Sequence, residues 1–531
     1  MPGPRGLETP EAATPGARRS ALWALGGAQA SALVTLASGL VLARLLQPHE
    51  TGTYAMAAVL VALANLFRDF GVGTYVVQEP LLTPAKLRAA LGVALATAWA
   101  MALALWAGSV PFASLMNEPA VAPVLQILAL NFVVIPFGSV AYSVLRRDMR
   151  FRDRATIETA AIVAQAGVGI VLAARGLGAA SLAWASLANV LCTVAGTTLA
   201  RPRGMPWLPA WRGTRAVLRF GAPASAAMLM RYLSESLPTL LIGRGLGAAE
   251  LGLFNRAQGF AQLLQGMARG PASNVMLPAL GEVRRRDDAA AARHPFEAPY
   301  VHATALVAGL ALPFALTAAV LAEPLVRLLY GATWLPAVPM VLPLALAALL
   351  SVPQWFASDM LLADGRPGTV AALELTCLLL LGLLLLWALP HGTTALAWAV
   401  CAAAALSTGL RCWRLWRAFG IGWRAHWACW RPALVPGLAV LPALAVGAWL
   451  LRQSARQPWL TAAWLCLLCA LGLLALRAGR HPLWAELARI ARFRGNAPAV
   501  TPPAPTPASA SGPAGAEDPA RTAAPERRSR S

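Results

Sequence analysis

Long apolar runs separated by short polar segments dominate the pattern of this chain. A helix crosses a bilayer with roughly 20 consecutive apolar residues, and fourteen segments reach that length. The pattern therefore predicts an all-α polytopic membrane protein with about fourteen transmembrane helices. The predicted spans are 21–43, 52–72, 89–110, 122–144, 156–173, 179–200, 217–242, 251–279, 298–320, 336–362, 368–389, 393–412, 432–451 and 459–476.

The two ends of the chain depart from this pattern. Residues 1–20 are rich in Pro and Gly, and residues 497–531 are rich in Pro, Ala and Ser. Such composition cannot bury enough apolar surface to fold, so we expect both ends to be disordered. The first apolar run has no small-residue cleavage site at its end, which favours a first span over a cleaved signal peptide.

Composition and charge agree with a membrane protein. Hydrophobic residues make up 58% of the chain and charged residues only 13%, whereas a soluble domain has about 25% charged residues. With both termini in the cytoplasm, the external loops hold six of the 44 Lys and Arg residues, and four lie inside the spans. The other 34 lie in cytoplasmic loops and tails or, for Arg219 and Arg411, at the cytoplasmic ends of spans. The positive-inside rule and contact with anionic lipid explain the net charge of +21, so we expect no nucleic-acid partner.

An internal repeat joins two parts of the chain. Residues 44–54 (RLLQPHETGTY) align without a gap with residues 244–254 (RGLGAAELGLF). Both stretches connect an odd-numbered predicted span to the next one at the external face. The aligned pairs are Arg44 and Arg244, Leu46 and Leu246, Glu50 and Glu250, Gly52 and Gly252, and Tyr54 and Phe254.

The repeat predicts the domain organisation. It carries span 1 onto span 7 and span 2 onto span 8, and six spans is an even number, so both copies keep the same orientation. Parallel repeats of this kind form two six-helix bundles around a central cavity. We expect an N-lobe over 21–200, a cytoplasmic inter-lobe loop over 201–216, a C-lobe over 217–412, and two additional C-terminal helices over 432–476.

Span 8 contains a row of polar residues. Steps of 3, 4, 3 and 4 residues place the row on one helix face. Polar groups are costly in a bilayer, so the row predicts the lining of an aqueous cavity, with interhelical hydrogen bonds as the alternative. Arg256 lies nearly opposite, close to the external end, where it faces the interface or span 7. The row consists of Asn255, Gln258, Gln262, Gln265 and Arg269.

Other ionisable residues also fall inside predicted spans. Arg231 and Glu235 are one turn apart in span 7, where they form either a functional pair or a neutral pair between packed helices. Arg68 and Asp69 end span 2, with snorkelling to the interface as the alternative, and Asp359 lies in span 10. This arginine-rich and amide-rich lining favours an anionic, phosphate-bearing ligand. Glu235, Asp69 and Asp359 are candidates for coupling to H⁺ or Na⁺.

Three stretches of this chain resemble a known family. They are FRDFGVGTYVVQE (67–79), RGLGAAELGLFNRAQ (244–258) and LLADGRPG (361–368). They resemble the polysaccharide-biosynthesis flippases of the multidrug/oligosaccharidyl-lipid/polysaccharide superfamily. The resemblance implies two six-helix bundles around a cavity and export of polyprenyl-diphosphate-linked oligosaccharide across the bacterial inner membrane, for exopolysaccharide, capsule or O-antigen synthesis. It also implies that cavity cations hold the diphosphate, and Arg256 is the recurrent arginine of GLFNRAQ.

The resemblance sets the expected partners and leaves two rival functions. We expect a lipid-linked oligosaccharide and membrane lipids as partners, with a polysaccharide polymerase and a chain-length regulator as candidates, and no cofactor, metal or catalytic residue. A cation-coupled drug antiporter of the same superfamily would favour a cavity richer in carboxylates. A glycan ligase or polymerase needs a large external loop, whereas every predicted external loop here is shorter than about 20 residues.

Overall fold

The apolar runs of the sequence form helices, and within the described part of the chain no residue lies in a strand. The computed structural model describes residues 15–69, 72–202, 205–206, 208–211, 214–285, 296–453, 458–479 and 481–485. The predicted disordered tail lies outside these residues. At the other end, α1 includes residues 15–20 of the segment predicted to be disordered, and residues 1–14 lie outside the described residues.

Each of the first six predicted spans coincides with helix. The α1–α2 turn lies at the predicted external end. The helices of this half are α1 (Pro15–Leu45), α2 (Pro48–Asp69), α3 (Val72–Gln78), α4 (Pro84–Leu115), α5 (Val121–Val134), α6 (Pro136–Arg147), α7 (Phe151–Ala174) and α8 (Ala179–Leu199).

The remaining eight predicted spans also coincide with helix. The α9–α10 turn lies at the same end as the α1–α2 turn. The helices of this half are α9 (Thr214–Leu246), α10 (Ala248–Arg285), α11 (Glu297–Val320), α12 (Ala322–Leu329), α13 (Val338–Leu350), α14 (Ala357–Ala363), α15 (Pro367–Ala388), α16 (Thr393–Phe419), α17 (Trp423–Gln453) and α18 (Pro458–Ala478).

Two predicted spans are broken rather than continuous. The span over 122–144 is the pair α5 and α6, which bend by 55° before Pro136. The span over 336–362 contains α13 and α14, separated by a 3-10 turn at Val352–Gln354 that includes Pro353. Proline lacks a backbone N–H and its ring clashes with the preceding turn, so both breaks have a local cause.

The described residues form a multi-pass membrane protein. Nine of their helices are long and apolar enough to cross a membrane, or ten when the bent α5–α6 pair counts as one span. Two shorter apolar helices, Gln29–Leu45 and Ala463–Ala478, fall in the first and last predicted spans. The predicted all-α polytopic class is therefore confirmed. The lobe boundaries at residues 200 and 217 stay a prediction.

The helices pack in two groups that meet at α2 and α10. In the first group α7 lies between α1 and α8, and α5 contacts α2, α4 and α8. In the second group α10 contacts α11 and α13, α16 contacts α13 and α15, and α17 lies along α11. One apolar core includes Met56 and Phe132 of the first group with Phe254 and Trp334 of the second, so it joins both groups.

The chain beyond α18 docks on the second group. The imidazole of His481 is 1% exposed, and a methyl group on Gly309 of α11 would collide with it. Leu483 N–H donates to His481 Nδ1 (3.1 Å). Burial lowers the pKa of this imidazole to about 4, which favours its neutral form.

Candidate functional site

The two helices that follow the repeated turns cross each other at a glycine from each copy. A methyl group on Gly52 would collide with the carbonyl oxygen of Ala248, and one on Gly252 with the carbonyl oxygen of Pro48. These contacts are reciprocal, since position 48 aligns with 248 and position 52 with 252. Small residues let helix backbones approach closely inside a membrane, and only glycine fits at this crossing. The crossing closes the predicted external end between α2 and α10.

Two aligned arginines make a second reciprocal contact. Arg44 Nη2 donates to the carbonyl oxygen of Leu328 in α12 (2.8 Å), and Arg244 Nη1 donates to the carbonyl oxygen of Leu115 at the end of α4. Each arginine thus reaches across to the helices of the other group. Leu115 ends α4, which contains the third predicted span, and Leu328 lies in the short helix after the ninth; the repeat pairs the third span with the ninth.

The two aligned glutamates face helix starts within their own groups. Thr393 Oγ1 donates to Glu250 Oε2 (2.9 Å) at the first residue of α16. The carboxylate of Glu50 lies beside Gly178, the residue before α8, and accepts a hydrogen bond from Gln47 N–H (2.8 Å). A helix N-terminus attracts negative charge. Each glutamate therefore joins the turn that carries it to a helix N-terminus of the same group.

The copies differ one turn further along the helices. In the first copy, Met56 is fully buried against Gly243 of α9. The repeat aligns Met56 with Arg256 and Gly243 with Ala43. Trp334 takes the place between Arg256 and Ala43: its Nε1 donates to the carbonyl oxygen of Ala43 (2.7 Å), and its ring is fully buried.

Arg256 completes this aromatic cluster. Its guanidinium carbon lies 4.6 Å from the ring centre of Trp334 and 5.2 Å from that of Tyr330, and Tyr330 packs edge-on against Phe260. A cation over two aromatic faces is held by the ring quadrupoles. The structure therefore places Arg256 in the closure of the predicted external end, and its predicted contact with a substrate stays a prediction.

The polar row on α10 begins beside this closed end and continues along the helix away from it. Asn255 and Gln258 are half-buried, and Gln262 and Gln265 are exposed. Amide side chains exposed in the middle of a helix are costly against lipid, so this geometry favours the predicted aqueous lining. On the other faces of α10 the side chains are packed, at Leu253, Ala257, Phe260, Ala261 and Leu264.

Most of the other predicted residues lie on α2, α9 and α14 rather than on α10. Arg68 is half-buried, with its guanidinium carbon 5.9 Å from the ring centre of Phe132. Glu235 is exposed on α9, and Asp359 is half-buried on α14. The side chains of Arg231, Arg269 and Asp69 lie outside the described residues, so their predicted roles stay predictions.

A partly buried ion pair was not predicted from the sequence. Arg411 Nη2 of α16 lies 3.0 Å from Glu374 Oε2 of α15, and Ser358 Oγ of α14 donates to Glu374 Oε1 (3.3 Å). Both charged side chains are less than one-fifth exposed. The sequence did contain a signal for this pair, because both residues are charged and lie at the predicted cytoplasmic ends of apolar spans. The pair links three helices and neutralises Glu374 inside the protein.

These features define a class of protein. Two groups of transmembrane helices cross at one end, and an exposed polar helix face lies below the crossing, as in transporters that work by alternating access. The fold is similar to that of the lipid II flippase MurJ in an inward closed conformation (TM-score 0.67, 13% identity, covering 88% of this chain and 100% of MurJ). It is also similar to an inward-facing multidrug resistance MATE family transporter of the MOP superfamily (TM-score 0.53, 16% identity, covering 72% and 92%).

The sequence places the chain in a family. Residues 41–339 match the model of the polysaccharide biosynthesis protein family, and the chain belongs to that family. It is 26% identical over 338 residues to the lipopolysaccharide biosynthesis protein WzxC of Escherichia coli K12, covering 61% of this chain and 67% of WzxC. It is 26% identical over 311 residues to the succinoglycan biosynthesis transport protein ExoT of Rhizobium meliloti 1021, covering 58% and 61%. The family predicted from the three short stretches is confirmed.

Proposed function

We propose that this protein moves a polyprenyl-diphosphate-linked oligosaccharide across the bacterial inner membrane by alternating access. Its product would serve the synthesis of exopolysaccharide, capsule or lipopolysaccharide O-antigen. Relatives named for lipopolysaccharide and succinoglycan synthesis support a glycan substrate. The observation that carries the proposal is the reciprocal crossing of α2 and α10, which closes one end of the path above an exposed row of amide side chains.

The glycan head group enters from the predicted cytoplasmic end and the prenyl chain stays in lipid. Gln262 and Gln265 are exposed on α10 and suit the hydroxyl groups of a sugar, because an amide both donates and accepts hydrogen bonds. The diphosphate requires cations, and Arg231, Arg269 and Arg68 are the arginines predicted to supply them.

Opening toward the outside requires breaking the contacts at the closed end. The backbones must separate at Gly52 and Gly252, Arg44 and Arg244 must leave the carbonyl groups that they bind, and Trp334 must release the carbonyl group of Ala43. The Trp334 hydrogen bond is neutral and worth about 1 kcal/mol, whereas each arginine hydrogen bond has a charged donor and is worth about 1.5–3 kcal/mol. A substrate that binds the open state more tightly than the closed state shifts the equilibrium toward opening. Exchange of H⁺ or Na⁺ at Glu235, Asp69 or Asp359 is proposed to reset the cycle.

This proposal assigns transport without catalysis. It places both termini in the cytoplasm, consistent with the arginine distribution, and it takes a polysaccharide polymerase and a chain-length regulator as partners that act on the exported glycan. It requires no cofactor or metal.

A reconstituted flipping assay tests the proposal. Vesicles containing the purified full-length protein receive a fluorescent lipid-linked glycan, and a membrane-impermeant reagent reports the fraction on each leaflet. We expect rapid exchange between leaflets with the protein and none in empty vesicles. Arg231→Ala and Arg269→Ala should each slow the exchange, while Arg146→Ala, an exposed arginine at the predicted cytoplasmic end of α6, should not.

Two outcomes would refute the proposal. If the protein transports cationic drugs against an ion gradient and leaves the lipid-linked glycan in place, the drug-antiporter alternative holds. If the glycan is lengthened or joined to an acceptor in the same vesicles, the protein is an enzyme. Normal exchange in both arginine variants would leave flipping intact and would refute only the cationic cavity.

A further inference from the structure

The connection between α16 and α17 has an unusual composition. Residues 411–431 read RCWRLWRAFGIGWRAHWACWR, so five of the 19 Trp residues of the chain and five Arg residues lie within this stretch. It lies at the predicted cytoplasmic end. Gly420, in the left-handed region at φ 70°, ends α16, and α17 begins at Trp423, so the connection is short and rigid.

Four of the five tryptophans of this connection face outward. Trp413 and Trp416 of α16 are 41% and 55% exposed, and Trp423 and Trp427 of α17 are 79% and 51% exposed. The opposite face is packed against the protein, with Leu415, Ile421, Ala425 and Cys429 buried. Both helix ends are therefore amphipathic, with their indoles on the outer side.

The arginines on the outer side are gathered without acidic partners. The guanidinium carbons of Arg414 and Arg417 lie 4.9 Å and 5.2 Å from the ring centre of the same indole, Trp413. Over the described ranges of the chain, no ion pair involves these two residues or Arg424. Arg411, which points inward, instead pairs with Glu374. Glu374 therefore pairs with the inward arginine. The outward arginines are left without a carboxylate that would compete with an anionic ligand among the described residues.

The position of this surface indicates a lipid ligand rather than a protein. The exposed face continues along the same helices into apolar side chains: Trp398 and Leu406 on α16 are 47% and 53% exposed, and Val435 and Leu438 on α17 are 48% and 61% exposed. Those positions lie in the spans and face the lipid tails. The arginines and indoles at the helix ends therefore lie at headgroup depth, where tryptophan is enriched and anionic lipids attract arginine.

We propose that this surface binds the phosphate headgroups of anionic phospholipids in the leaflet at the predicted cytoplasmic end. The guanidinium groups of Arg414, Arg417 and Arg424 would bind the phosphate oxygens, since a guanidinium presents paired donors to phosphate. The indoles would hold the glycerol region and the start of the chains. The surface is defined as Trp413, Arg414, Trp416, Arg417, Trp423, Arg424 and Trp427.

Native mass spectrometry of the purified full-length protein tests this inference. The protein is titrated in detergent with phosphatidylglycerol, with phosphatidylcholine and, separately, with polyprenyl diphosphate. The wild type should retain phosphatidylglycerol at least about tenfold more strongly than phosphatidylcholine. The triple variant Arg414→Gln, Arg417→Gln, Arg424→Gln should lose most of that preference. The corresponding triple Lys variant should lose less of it, because lysine keeps the positive charge and lacks only the paired donors of the guanidinium group.

A matched triple variant controls for net charge. Arg146→Gln, Arg366→Gln and Arg477→Gln remove three exposed arginines predicted to be cytoplasmic, outside this surface, and should keep the wild-type preference. Equal retention of both phospholipids by the wild type, or equal loss in the two triple Gln variants, would overturn the inference. So would a triple variant that loses polyprenyl diphosphate but keeps phosphatidylglycerol, since the surface would then be an entry site for the transport substrate.

Discussion

The two repeated turns close the same end of the molecule with the same contacts, yet the helices that follow them differ in chemistry. Both turns contribute a glycine to the crossing, an arginine to the opposite group and a glutamate near a helix N-terminus. Beyond the turns, α2 continues with apolar residues where α10 has Asn255, Arg256, Gln258 and Gln262. The comparison teaches that the closing contacts are duplicated, whereas the polar residues nearest the crossing, from 255 to 262, are present in one copy only.

The largest effect is expected at the crossing itself. Gly252→Ala places a methyl group against the carbonyl oxygen of Pro48, and overpacking of this kind costs about 1–3 kcal/mol. The closed state should lose population by about tenfold or more. The rate of glycan flipping should fall to a similar extent, and Gly52→Ala should lower it equally. Gly108→Ala on α4, where a methyl group meets nothing within 4 Å, is the control. If one glycine variant lost flipping and the other did not, the two copies would not be equivalent at the crossing.

The next largest effect is expected from the polar row, and it should depend on α10 and not on α2. Gln262→Ala converts α10 to the residue that α2 has at the aligned position, Ala62. Loss of a hydrogen bond to a substrate hydroxyl costs about 0.5–1.5 kcal/mol, so glycan flipping should fall several-fold while expression and the crossing stay unchanged. Ala62→Gln in α2 should not compensate. Wild-type flipping by Gln262→Ala would show that this part of the row is not a substrate lining.

A smaller effect is expected from the reciprocal arginines. Arg44→Gln and Arg244→Gln each replace a charged donor of the closed end by a shorter, neutral amide. Each should shift the equilibrium toward the open state by about 1 kcal/mol, the difference between a charged and a neutral hydrogen bond. Spin labels at Leu45→Cys and Ala249→Cys, both exposed at the turns, would report this as a larger population of long distances. The two single variants should shift it equally, and the double variant by the sum. A shift in only one of them would mean that the copies do not share the closure.

The last effect concerns a different part of the molecule, away from the crossing. His481 is neutral when docked, with a pKa of about 4, whereas a free imidazole has a pKa of about 6.5. Docking stability is therefore fully present above about pH 6.5 and is lost as the pH falls toward 4. Hydrogen exchange of residues 481–485, corrected for intrinsic rates, should show falling protection across this range, with no change at the α1–α2 and α9–α10 turns. His481→Phe should remove the pH dependence. Constant protection from pH 7 to 4 would contradict the assignment.

The apolar pattern was sufficient to predict the helices but not their breaks. Each predicted span coincides with helix because the bilayer length sets a long, continuous signal. The bend before Pro136 and the turn at Pro353 were missed, since a hydropathy window averages over a proline. Both prolines were visible in the sequence, but Pro111, Pro313 and Pro436 lie inside continuous helices, so a proline alone does not identify a break.

The parts of the site that could be predicted are those that depend on local helical periodicity or on the internal repeat. The row on α10 follows from helical periodicity, and Gly52 and Gly252 are identical residues in the repeat, although the alignment alone does not show that they touch. The contact between Arg256 and Trp334 joins residues far apart in sequence, and no periodic pattern contains it. Family resemblance favoured Arg256 as a substrate ligand, while the structure places its guanidinium on aromatic rings of the closed end.

A disulfide across the two groups tests the central claim, that separation of α2 from the second group at the closed end is required for transport. A Cβ atom built on Gly243 lies 3.1 Å from Met56 Cγ, close to the roughly 3 Å between a Cβ atom and the far sulfur of a disulfide. Met56→Cys with Gly243→Cys should therefore cross-link on oxidation, and each single variant is the control. The account predicts that the oxidised double variant loses flipping and that a reductant restores it. Flipping at the wild-type rate by the cross-linked protein would contradict the account.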